Sequence, residues 1–161
     1  MDDGAPRAGN TVTVRHPGGQ PPAAARRHEW TVPLVPGAVR AARERTERSL
    51  ELCGLESSSS LSGAVLLVVS ELVANAARHA RRSPDAEVTV EMTEHLLVVG
   101  VADTDPRPVA LADAGRTSSG RGLSTVADLA RVFGGDVRVE PATGGRGKTV
   151  VVRFVLPEGT P

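Results

Sequence analysis

The 161-residue sequence predicts an α+β domain, a two-layer sandwich in which a mixed, mostly antiparallel sheet is covered on one face by helices. Three observations carry that expectation. Ala86–Met92 alternates at period two, and Leu96–Ala102 is apolar at strand length. The short Glu94-His95 turn joins them as a hairpin. A second hairpin is read in Asp136–Glu140 and Lys148–Leu156, joined across Thr143-Gly144-Gly145-Arg146-Gly147. The remaining long stretches carry apolar residues at helical spacing, which sets helices beside the strands.

Taken in order, residues 1–27 are rich in Gly, Pro, Ala and Arg and read as a flexible extension, although Thr11–Val14 could pair as a short strand. The folded domain is expected over 28–157, with 158–161 as a tail. Glu29–Leu34 reads as an edge strand, because Pro33 removes a ladder donor. A helix starts at Pro36 or Gly37 and runs to about Leu52, with Val39, Ala42, Thr46, Leu50 and Cys53 at helical spacing and Gly54 as its stop. After a serine-rich turn, Ser60 is placed to cap a second helix that ends near Arg81. Ser83-Pro84-Asp85 turns into the first hairpin. Residues 103–119 have no regular pattern, and a third helix is expected from Leu123 to about Val132.

Composition narrows the function classes. Nineteen acidic residues balance nineteen basic ones, which argues against a nucleic-acid binder needing a basic face. Cys53 stands alone, so neither a disulfide framework nor a cysteine metal site is expected. No apolar run approaches the ~18–20 residues of a membrane span, and Met1-Asp2-Asp3-Gly4 does not open like a signal peptide. A cytoplasmic location with no membrane contact is the expectation.

The stretch with chemical content is Val68–Ala80. Glu71, Asn75 and His79 recur every four residues and form one polar stripe on a helix whose other stripe is Leu66, Val69, Val73 and Ala76. An amide oxygen can share hard Mg2+ with substrate phosphates, and a carboxylate one turn away can accept a proton from a hydroxyl. Taken alone, the stripe is also what a solvated helix face looks like. Asp103 ends the apolar run Leu96–Ala102 and would present a carboxylate at the sheet's rim, where it matches an exocyclic amine; a turn-forming aspartate before Thr104-Asp105-Pro106 is the plain alternative. Gly120-Arg121-Gly122-Leu123 sits at a helix mouth, where backbone N–H groups and the dipole favour an anion. An ordinary loop before a helix has the same look. Gly147-Lys148-Thr149 opens the last strand, where the Thr149 hydroxyl could point into a pocket shared with Asp103.

In this order these stretches resemble the GHKL (Bergerat-fold) ATP-binding domain. The phrase Ser70–Ala80 is more closely similar to the stand-alone anti-sigma factor serine kinases, the SpoIIAB/RsbW-like group. The resemblance spans about 28–157. It implies ATP and Mg2+ as cofactors, with Asn75 holding the metal and Glu71 as general base toward a substrate serine. Arg78 would reach the phosphates and His79 would lie beside them. Asp103 would bind the adenine amine, supported by Thr149 through a water. Gly120, Arg121, Gly122 and Leu123 would wrap the triphosphate, with 104–119 as an ATP lid. It further implies a sigma factor and a STAS-type anti-sigma factor antagonist as partners, and a homodimer. The expected Asp-x-Gly-x-Gly pattern is absent at Asp103-Thr104-Asp105, and prolines 106 and 108 suggest a short, stiff lid. Two functions follow: a protein serine/threonine kinase acting as an anti-sigma switch, or a non-catalytic, ATP-gated protein-binding regulator of the same fold. Histidine autokinase chemistry would need a dimerisation helix pair carrying a phospho-acceptor histidine, which the sequence does not show, and His28 lies in a Pro/Arg-rich leader before a strand.

Overall fold

Alternation of small apolar residues builds the sheet. The computed structural model describes residues 25–107, 120–158 and 160. It contains β1 (Arg26–Pro33), α1 (Ala38–Leu52), α2 (Ser60–His79), β2 (Asp85–Met92), β3 (Leu96–Asp103), α3 (Gly120–Val132), β4 (Val137–Pro141) and β5 (Lys148–Val155). The five strands lie in the order β1-β2-β3-β5-β4. All four pairings among the described residues are antiparallel. The possible strand at 11–14 and most of the expected lid, 108–119, fall outside the described residues.

Register fixes which side chains meet the helices. Val88, Val90 and Met92 face Val101, Val99 and Leu97, which in turn face Val150, Val152 and Phe154. All nine are buried. Fully burying such a side chain contributes about 1.5–3 kcal/mol, so these rows define the core face. The opposite face carries Glu87, Thr89 and Glu91 on β2, Val98, Gly100 and Ala102 on β3, and Thr149, Val151 and Arg153 on β5.

α2 is the central helix. Val65, Val68, Val69, Leu72, Val73 and Ala76 are buried beneath it, whereas Leu67 is exposed. Its cap is Ser59 rather than Ser60: the Ser59 hydroxyl accepts the Ser62 N–H at 3.1 Å, a device that contributes about 1 kcal/mol. Arg78 and His79 lie in its last turn, where positive charge complements the dipole. By length and mean hydropathy (1.6) α2 could cross a membrane, contrary to the sequence expectation. Its apolar stripe is taken up by the sheet and the neighbouring helices, which is how a core helix passes the same test.

α1 packs along α2 and is preceded by Gly37, whose φ of +94° suits glycine. Cys53 follows α1 and is wholly buried, which pushes its thiol pKa up; it is a core residue. Three of the four arginines of α1 make contacts within the fold. Arg40 pairs with Glu44 at 2.8 Å, Arg43 donates to Ser70 Oγ at 3.1 Å, and Arg45 lies 5.7 Å from the Trp30 ring centroid.

Candidate functional site

The site forms where the C-terminal half of α2 meets the end of β3 and the start of α3. Glu71 and Asn75 are half-buried on one face of α2, and His79, one turn further, is exposed. The first turn of α3 closes on Glu71. A Cβ on Gly122 would lie 2.5 Å from Glu71 Oε2, so the glycine lets the helix mouth come against the carboxylate. α3 begins at Gly120, three residues before the sequence pattern suggested. Both glycines therefore belong to its first turn, where unpaired N–H groups and the dipole favour negative charge. Leu123 is buried in the core; only its backbone could meet a phosphate.

Asp103 ends β3 on the helix-facing side, in line with Val99 and Val101. Its Oδ1 accepts from Lys148 Nζ and from the Asp105 N–H, each at 2.9 Å. The loop before β5 reaches it because residue 147 is glycine. The φ of Gly147 is +85°, and a Cβ there would lie 1.8 Å from the Asp103 carbonyl oxygen.

Thr149 does not share this pocket. It pairs with Ala102 and its methyl group lies 3.5 Å from where a Cβ on Gly100 would sit, on the sheet face away from the helices. Side chains alternate along a strand, so Lys148 takes the inward place beside Asp103. The periodicity held this signal: counting back by two from Phe154, Val152 and Val150 lands on Lys148. Arg78, expected to reach the phosphates, is exposed in the last turn of α2. It lines a cavity of about 1000 Å³ between α1 and α2, with Leu34, Val39, Arg43, Leu66 and Ala74, and neither Glu71 nor Asn75 borders that cavity.

Two residues that sequence reasoning passed over tie the parts together. Asp105 is 1 % exposed and receives Arg107 through Nε at 3.0 Å and Nη2 at 2.9 Å. The Arg107 and Arg82 backbone N–H groups add contacts at 3.0 and 3.3 Å. The Arg107 guanidinium, helped by its backbone N–H, holds the Asp105 carboxyl well below the usual aspartate range, against the opposing effect of burial. Arg107 also donates to the His79 carbonyl at the end of α2. Ser83 secures the same exit, accepting from the Thr104 N–H at 3.0 Å. The end of β3 is thus fastened to the end of α2 that carries Asn75 and His79. Asp103 therefore lies at the end of β3 that is tied to the C-terminal end of α2, one turn beyond Asn75.

Among the described residues no three His, Cys, Asp or Glu side chains cluster to hold a metal. A half-buried amide beside a carboxylate fits Mg2+ that takes most of its ligands from phosphates and water. It does not fit a metal held by protein alone.

Residues 61–159 match the family described as histidine kinase-, DNA gyrase B-, and HSP90-like ATPase. That is more than half of the chain, and the chain belongs to this family. Membership supports ATP binding and chemistry of the kinase or ATPase type. Among solved structures, the histidine kinase domain of the Erythrobacter litoralis EL346 blue-light activated histidine kinase is similar, at 25% identity and a TM-score of 0.45. The match covers 57% of this chain and 43% of that one, so the chain spans less than half of that structure. Comparison with curated proteins gives no match.

Proposed function

We propose that this protein is an ATP-binding anti-sigma regulatory factor with serine/threonine kinase activity. It phosphorylates a STAS-type antagonist and, when unopposed, holds a sigma factor, acting in the cytoplasm as a homodimer. The observation that supports the reading best is the Glu71 carboxylate against the first turn of α3, with Asn75 one turn along α2. Phosphoryl transfer asks the protein chiefly for positioning and charge stabilisation.

In the proposed reaction the serine hydroxyl oxygen of the antagonist bonds to the γ-phosphorus while the bond from that phosphorus to the ADP oxygen breaks. The hydroxyl proton passes to Glu71, and ADP leaves. Asn75 offers its amide oxygen for Mg2+, which when bound neutralises charge on the phosphates. The N–H groups of Gly120, Arg121 and Gly122 face the phosphate oxygens at the helix mouth, and Asp103 receives the adenine amine.

Transfer of labelled γ-phosphate to an antagonist protein tests this. Glu71→Gln keeps the shape and removes the base, and a loss of about 100-fold or more is expected. Unchanged transfer would remove Glu71 from the role. Tight ATP binding with no transfer to any antagonist would instead select the non-catalytic, ATP-gated regulator.

A further inference from the structure

Lys148 is the only lysine in the chain, and its side chain is only 13% exposed. Its ammonium donates to Asp103 Oδ1 at 2.9 Å and to the Asp105 carbonyl oxygen at 3.2 Å. An ammonium has three N–H donors, and the third has no partner among the described residues. Asp103 is complementary. Its Oδ1 takes two donors, while Oδ2 accepts no hydrogen bond among the described residues. An uncommitted donor and an uncommitted acceptor therefore adjoin at the inner end of β3. Both side chains keep a small exposure, 13% and 10%, through which a ligand could reach them. The pairing edge of adenine carries the complement, an amine that donates and, beside it, the ring nitrogen N1 that accepts.

We propose that Lys148 reads the base: its Nζ donates to N1 of adenine while Asp103 Oδ2 accepts from the exocyclic amine. This inference rests on the reading that the chain binds ATP with Asp103 at the purine. Lys148 then acts in two ways. It holds the Asp103 carboxylate in one orientation through Oδ1, and it supplies the second half of a donor–acceptor pair. The site would recognise adenine by direct contact at two adjacent atoms, using a lysine where a threonine and a water were expected.

The test is calorimetric titration of the full chain with Mg-ATP and with Mg-1-deaza-ATP, in which N1 is replaced by C–H. The proteins are wild type, Lys148→Met and Lys148→Thr. Wild type is expected to bind ATP about 10- to 100-fold more tightly than the deaza analogue, the range for a hydrogen bond to a charged donor. In both variants that ratio should fall to near one. A lysine that merely braces Asp103 would weaken both ligands on replacement and leave the wild-type ratio at one, and that result overturns the inference. So does a ratio preserved in the variants. The wild-type comparison needs no variant to fold. If wild type binds neither nucleotide, the ATP-binding reading falls and this inference with it. If it binds both equally well, only the role of Lys148 falls.

Discussion

Asp105 shows how single residues hold the site in place. Its nearly buried carboxylate is gripped by Arg107, and Arg107 reaches on to the His79 carbonyl. The Arg107 contacts lower its pKa in the fold below the ordinary 3.8. A carboxyl depressed in this way stabilises the folded state above its unfolded pKa and loses that contribution as pH falls through its folded pKa. Asp105→Asn is therefore expected to lower the melting temperature near neutral pH, with the difference from wild type narrowing as pH falls below ~4. Thermal melts across that range check it, and a pH-independent difference would contradict it. Nothing in Thr104-Asp105-Pro106-Arg107 announces this clamp, because its partners at His79 and Arg82 are distant in sequence. Asp103 was legible for the opposite reason: an apolar strand runs straight into it, and strand geometry fixes its side. The Gly-Lys-Thr segment drew attention to a hydroxyl, although alternation alone sends Thr149 outward and Lys148 inward.

At the scale of elements, the β3 and β5 ends meet through a glycine. A side chain at 147 would run into the Asp103 backbone, and the φ of +85° is strained for any L residue. Gly147→Ala should cost at least about 1–3 kcal/mol, and it should displace Lys148 and Asp103 together. Gly144 has a similar φ of +100° but open space around it, so Gly144→Ala carries the backbone strain of ~1–2 kcal/mol without the collision. Urea unfolding of the two variants separates the terms, and equal losses would contradict the close approach. The hairpins and α2 could be read from the sequence because period two and period 3.6 are properties of contiguous residues. The start of α3 could not. Gly120 and Gly122 are poor helix formers, and the side chain that approaches position 122, Glu71, lies on another helix.

For the whole molecule, one antiparallel sheet with helices on a single face leaves the candidate site residues toward one end of the interface between layers. Neither α2 nor the sheet contains the site alone. Glu71 and Asn75 come from the helix, Asp103 and Lys148 from two neighbouring strands, and the amides proposed to meet the phosphates from α3. The layer arrangement followed from the order of elements. The pairing of β3 with β5, which brings Lys148 to Asp103 across 45 residues, followed from nothing local. The central proposal is that Asn75 and Asp103 serve one nucleotide from two elements. Calorimetric titration of Mg-ATP into wild type, Asn75→Ala and Asp103→Asn measures that most directly. Saturable binding to wild type, weakened about tenfold or more in each variant, is the predicted result. Equal affinity in all three proteins would contradict it.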